Sequence, residues 1–333
     1  MFCDFFFVCL YRHLYCLVMP LNLNADLPAV ELLKSENIFV MDSLRAASQD
    51  IRPLRICVLN LMPVKVSTEV DLVRLLSNSP LQLEVDWLRL SGHRSKNTSE
   101  EHLLAFYEEF ESVRERFYDG MIVTGAPVEQ LEFEEVSYWE ELKRVMDWAR
   151  VHVTSTLYIC WGAQAALYHF YEVKKYNLRK KLFGVFGHRV MDMGAPLFRG
   201  FDSEFFVPHS RHSEIRTMDI QERKELKILS LSEEAGVYVV MSRGGREFYV
   251  SGHAEYGPRR LHDEFLRDLE KGLDVEMPKN YYWNNRPQEG VRVSWRGHAN
   301  LLFSNWLNYF VYQRTPFVAE DIQSLGCLRK GDV

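Results

Sequence analysis

Apolar runs alternate with amphipathic stretches over most of the chain. Residues 54–62 (LRICVLNLM) and 81–90 (LQLEVDWLRL) read as strands, with a helical segment at 68–78 between them. Over 99–117, Leu103, Phe106, Phe110, Val113 and Phe117 recur at intervals of three and four, which predicts an amphipathic helix. A short strand at 121–124 ends in the turn Gly125-Ala126-Pro127. A helix follows at 135–151, a β-branched strand at 153–159, and a helix of strong formers at 163–171. Strand and helix in alternation imply parallel strands joined by crossover helices, and in such sheets chemistry collects at the carboxyl ends of the strands. Further on, residues 236–242 and 247–251 flank Gly244-Gly245, a hairpin turn. The second of these strands runs straight into Gly252-His253-Ala254-Glu255, and Pro258 opens a helix with Leu261, Phe265 and Leu269 on one face.

Composition changes this picture little. The 333 residues are 47% hydrophobic and 26% charged, with a net charge of -6, ordinary for a globular protein with a large core. No basic stripe offers a nucleic-acid footprint. The six cysteines (Cys3, Cys9, Cys16, Cys57, Cys160 and Cys327) form no CxxC pair, which argues against a disulfide framework or structural zinc and for reduced thiols in the cytoplasm. Residues 1–18 (MFCDFFFVCLYRHLYCLV) are apolar but interrupted by Arg12 and His13. They fall short of the ~20 residues needed to span a bilayer and lack the layout of a secretory signal. The expectation is a non-native or disordered extension before a start at Met19, one catalytic domain over 19–316, and a peripheral tail over 317–333.

Candidate chemistry centres on Cys160, where an apolar strand stops and a helix begins. A sharp strand-to-helix turn lifts a nucleophile out of the sheet, Gly162 relieves the crowding, and the helix N-terminus favours a thiolate and offers N–H groups to an oxyanion. Against this stands the commoner fate of a lone cysteine, an inert place in the core. His253 and Glu255, at i and i+2 of an extended segment, face one side, so the carboxylate can hold the imidazole in the tautomer that takes a proton from a thiol. An isolated H-x-E is more often a surface pair without a role. His209, His212 and Glu214 in PHSRHSE have spacing compatible with a metal, but Pro208 and the local polarity favour a loop lining a substrate pocket.

Taken together, these segments resemble the homoserine O-acyltransferase family, related in fold to class I glutamine amidotransferases. The matching stretches include DLPAVELLKSENIFVM, LNLMP, GMIVTGAPVEQ, VTSTLYICWGAQAALY, GVFGHRV, RGFDSEFFVPHSRH, GLDVEMPKNYY and HANLLFSNWLNYFVYQ, and they extend from about Met19 to Pro316. The resemblance implies an α/β fold of the flavodoxin-like, class I glutamine amidotransferase type: a parallel sheet flanked by helices, with added N- and C-terminal elements. It implies Cys160 as the acyl-carrying nucleophile, His253 as general base and Glu255 as the residue that orients it. Lys181, Ser210 and Arg267 match substrate contacts, a guanidinium suiting an amino-acid carboxylate. The Trp161 N–H and a partner from residues 61–64 would form the oxyanion hole, and Lys65 would help place the thioester.

Departures from the pattern are also visible. The family's usual His-Pro-Glu-Tyr-Asp reads His253-Ala254-Glu255-Tyr256-Gly257 here. Gly187 replaces a common glutamate, Gly297 a serine and Val64 a lysine. Tyr158 stands where a glutaminase has glycine, which argues against a glutamine amidotransferase subunit. Retention of Cys160, His253 and Glu255 argues against a non-catalytic binding protein on the same fold. In this family a glycine at the position of Glu129 goes with succinyl transfer and a glutamate with acetyl transfer, because a carboxylate there fills space and repels the succinyl carboxylate. The resemblance therefore implies acetyl-CoA and homoserine as substrates, with succinyl-CoA the alternative donor. It also implies a homodimer in the cytoplasm, with no metal, no bound cofactor, no nucleic acid and no membrane.

Overall fold

The computed structural model describes residues 21–22, 27–35, 52–91, 98–242, 244–316 and 318–327; the expected extension at 1–18 lies outside them. In chain order, β1 (Leu21–Asn22) and α1 (Pro28–Ser35) precede β2 (Leu54–Leu59), α2 (Lys65–Leu76), β3 (Leu83–Arg89) and α3 (Glu100–Phe106). Then come β4 (Tyr107–Glu109), α4 (Phe110–Val113), β5 (Tyr118–Val123), α5 (Trp139–His152), β6 (Val153–Ile159) and α6 (Trp161–Tyr171). The remainder comprises β7 (Tyr176–Val190), β8 (Glu204–Glu214), α7 (Thr217–Gln221), β9 (Leu226–Ser232), β10 (Gly236–Ser242), β11 (Glu247–Val250) and α8 (Arg260–Glu270). Helix α9 (Arg296–Asn305) runs on as a π-helix over Trp306–Tyr312, and α10 (Ile322–Cys327) follows, with Ile322 buried.

These strands form one mixed sheet in the order β1-β3-β2-β5-β6-β11-β10-β9-β7-β8, with β4 beside β3. Every pair from β1 to β11 along this path is parallel, and every pair from β11 to β8 is antiparallel. The fold is thus the expected α/β type, with an antiparallel extension. Its two faces carry separate apolar layers. One packs Ile56, Ile122, Leu157 and Phe248 against α2 and the Trp306 helix. The other packs Tyr118, Met121, Tyr158 and Tyr249 against α5 and α6. Strands β5 and β6 are buried at every position, as strands covered on both faces must be.

Two expected elements differ from what forms. The helix expected over 99–117 is broken at Tyr107–Glu109, which pairs with β3 instead. Burial of the Tyr107 hydroxyl, which donates to Glu69 Oε1 at 2.7 Å, outweighs the helical spacing. The segment PHSRHSE is a strand rather than a loop: it lies within β8, with Pro208 opposite Val185. Strand β8 is the outermost of the sheet, where a missing N–H breaks no ladder bond.

Candidate active site

Cys160 and His253 are neighbours because β6 and β11 are neighbours. The two strands run parallel with Ile159 opposite Val250, so both chains leave the sheet at one edge, and the Cys160 N–H donates to the Val250 carbonyl at 2.7 Å. Cys160 is forced into φ 51°, ψ -116°, a conformation that an L-residue holds at a cost of about 1–3 kcal/mol unless its surroundings impose it. What imposes it is close packing of α6 on β5: a Cβ on Gly162 would lie 2.6 Å from the Thr124 carbonyl oxygen. Cys160 is buried and lines a cavity. Trp161 and Gly162 open α6, so their N–H groups have no acceptor within the helix.

His253 sits beside the thiol, its Nδ1 2.7 Å from Glu255 Oε1, with both residues buried. The carboxylate leaves the Nδ1 proton in place and turns the other ring nitrogen toward sulfur. Tyr256 stacks on the imidazole with centroids 4.2 Å apart and planes 17° off parallel. Burial pulls the imidazole toward neutrality, but attraction to Cys160 and Glu255 and hydrogen bonds to both outweigh it, holding its pKa well above the ordinary histidine value. A cysteine beside an imidazole that a carboxylate orients is an arrangement suited to nucleophilic chemistry.

A cavity of about 620 Å³ opens over this pair, and its lining includes Cys160, His253, Glu129, Lys181, Ser210 and Arg267. That is the size of a small-molecule site. Glu129 is held at its rim by the His212 N–H, which donates to Oε1 at 3.2 Å. Lys181 Nζ donates to Asp268 Oδ2 at 2.9 Å and lies 3.8 Å from Glu264 Oε2, its ammonium over the Phe183 ring at 4.1 Å. Ser210 Oγ donates to Glu264 Oε2 at 2.6 Å, and Arg267 Nη2 donates to Asp268 Oδ1 at 2.8 Å. Burial raises the Asp268 carboxyl, yet hydrogen bonds from Lys181 and Arg267 bring it below the ordinary value. Glu264 and Asp268 are not among the site residues that the sequence singles out. Their signal was i, i+4 spacing around Arg267 on the charged face of α8, passed over in favour of its apolar face.

Two expectations are placed elsewhere. Lys65 does not line the cavity: its ammonium donates to the Asn60 carbonyl and lies 5.7 Å from the Tyr107 ring, beneath the 61–64 turn. Burial pushes its pKa down to about 8, opposed by the nearby Glu69 carboxylate and helped to a smaller extent by Arg89. In that turn the Leu61 N–H is committed to Thr124 Oγ1 and the Met62 N–H to Asn60 Oδ1, and Pro63 has none. Leu61, Met62 and Pro63 therefore offer no uncommitted N–H, whereas the Trp161 and Gly162 N–H groups at the start of α6 have no acceptor within the helix. The metal spacing also dissolves, because β8 alternates: Ser210 and His212 face the cavity, while His209 points to the other side and stacks on His188. Among the described residues no cluster of His, Cys, Asp and Glu is arranged to hold a metal, and no helix is long and apolar enough to cross a membrane.

A family model described as homoserine O-succinyltransferase matches residues 20–317. Among curated proteins, the homoserine O-acetyltransferase of Parabacteroides distasonis is 65% identical over 310 residues, covering 93% of this chain and all of that protein. Those of Bacteroides fragilis and Acetivibrio thermocellus are 62% and 56% identical over 305 residues, again covering 92% of this chain and their whole length. Among solved structures, a glutamine amidotransferase from Thermotoga maritima aligns with TM-score 0.52 at 13% identity, over 77% of this chain and 98% of its own, a likeness of fold alone.

Proposed function

The chain belongs to the homoserine O-succinyltransferase family, and from that premise we propose that it moves an acetyl group from acetyl-CoA to the hydroxyl of homoserine. The carrying observation is the buried contact between Cys160 and a Glu255-held His253 at the floor of a cavity whose rim bears Glu129. The Cys160 thiolate attacks the thioester carbonyl, and the oxyanion forms against the Trp161 N–H. Collapse expels coenzyme A, which takes its proton from the His253 imidazolium. Homoserine then gives its hydroxyl proton to the neutral imidazole as its oxygen attacks the acyl-cysteine, and O-acetylhomoserine leaves with the thiolate restored. The scheme uses no metal and no organic cofactor beyond the thioester itself.

Homoserine is a zwitterion, and the far wall suits one. Glu264 and Asp268 offer carboxylates to its amine, while Lys181 and Arg267 offer cations to its carboxylate. The acyl end meets Glu129. A carboxylate there repels a succinyl donor and leaves acetyl untouched, whereas the description of the family model favours succinyl as the second reading. Coenzyme A release from acetyl-CoA and from succinyl-CoA, each with homoserine present, separates the two. Acetyl preference by about a hundredfold supports the proposal, and equal use of both donors overturns it.

A further inference from the structure

Gly257 closes the segment that carries His253 and Glu255, and a carboxylate from a distant element occupies the space beside it. The Gly257 N–H donates to Asp71 Oδ1 of α2 at 3.1 Å, and a Cβ added at Gly257 would lie 3.0 Å from that same oxygen. Asp71 is buried, with Arg74 Nη1 3.2 Å from Oδ1 and Arg260 Nε 3.9 Å from Oδ2. Arg260, the first residue of α8, carries its guanidinium 5.4 Å from the Tyr256 ring, and Tyr256 is the ring stacked on His253. Asp71, His253, Glu255, Tyr256 and Arg260 line one small cavity of about 10 Å³.

The charges there are mutually dependent. Burial raises the Asp71 carboxyl to about 6, with Arg260 opposing and Glu255 adding to the rise. Arg260 is penalised by burial and held charged by Tyr256, Asp71, Glu264 and Glu255. Removing Asp71 would take one of the charges that hold Arg260 and leave more of its attraction to Glu264 and to Glu255, the carboxylate that orients His253. Breaking one partner of a buried charged cluster is disruptive out of proportion to the pair's own strength.

We propose that Asp71 is a positioning residue for the reaction, fixing from α2 both Arg260 and the Glu255–Gly257 turn. The inference rests on the catalytic reading of Cys160, His253 and Glu255. Its test is a double-mutant cycle of Asp71→Asn, Gly257→Asp and both together, read as kcat/KM for acetyl transfer. Asp71→Asn lowers kcat by about tenfold with KM for homoserine within about twofold, since it touches no substrate. Gly257→Asp alone also lowers it, because two carboxylates then meet. The double variant returns to within about threefold of the parent, because one carboxylate is again present in the same place.

Additive losses in the double variant overturn the proposal, as does full activity in Asp71→Asn. If Gly257→Asp does not fold, Asp71→Asn decides by itself: a kcat loss with an unchanged melting temperature supports positioning, and a loss that tracks falling stability overturns it. Cys160→Ala runs alongside. If it keeps activity, the catalytic reading has failed, which is distinguishable from failure of the Asp71 inference.

Discussion

The parallel and antiparallel halves of the sheet meet at one cavity but equip it differently. From the parallel half, functional groups come off strand ends: Cys160 after β6, Gly125 after β5, and, at the junction, His253 after β11. From the antiparallel half they come off strand faces: Lys181 on β7 and Ser210 and His212 on β8. A group at a strand end is aimed by the backbone of a turn, and the φ 51° of Cys160 shows how tightly. A group on a strand face is aimed by register, because a one-residue slip would turn it to the other side. In the proposed mechanism, bond-making chemistry sits on the first kind of support and substrate holding on the second.

Cys160→Ala tests this division most severely. It should abolish both coenzyme A release and the mass increase of an acetylated enzyme, with kcat falling by about ten-thousandfold or more. Glu129→Gly, in the turn after β5, should shift donor preference toward succinyl-CoA by on the order of a hundredfold in relative kcat/KM while leaving Cys160 acylation by acetyl-CoA intact. An unchanged donor ratio would mean that the acyl pocket is built by the other half.

Behind the hairpin, His188 and His209 form a buried pair with Nε2 atoms 3.2 Å apart. Burial pulls His188 down to about 4 and His209 well below the ordinary value. Both folded-state values are depressed, so between pH 6.5 and 4 the unfolded chain binds more protons and stability falls as pH falls. Urea unfolding should show His188 alone costing about 2 kcal/mol between pH 7 and pH 5, a difference that shrinks in His188→Phe. Asp71, raised to about 6, works oppositely below that pH and offsets part of the loss. The smallest effect is expected at Lys181→Met. It should raise KM for homoserine by about tenfold with the first coenzyme A burst unaffected; a lost burst would put Lys181 in the acyl-transfer step.

Much of the first half was legible because its determinants are local. Residues 153–159 were expected as a strand and form β6 with those bounds, since a run rich in β-branched residues suits seven successive buried strand positions. Cys160 at the strand-to-helix step and His253 with Glu255 two residues on were likewise visible as short-range patterns. The helix at 99–117 and the loop at 208–214 were misread because distant partners decide them. Glu69 and β3 capture Tyr107, and the outermost position in the sheet makes Pro208 harmless. Glu264 and Asp268 escaped notice for the same reason. Their meaning depends on Lys181, 87 residues from Asp268 along the chain.

Hydrophobic period, turn residues and the types of the reacting side chains are properties of neighbouring residues, and the sequence by itself determined them. Tertiary structure alone decided that β11 lies parallel beside β6, which brings Cys160 and His253 to one edge. It likewise decided that α8 lays its carboxylates across β7 and that Asp71 fills the place beside Gly257. Strand adjacency and register minimise the free energy of the whole sheet, and no local stretch of chain encodes a sum taken over contacts a hundred residues apart.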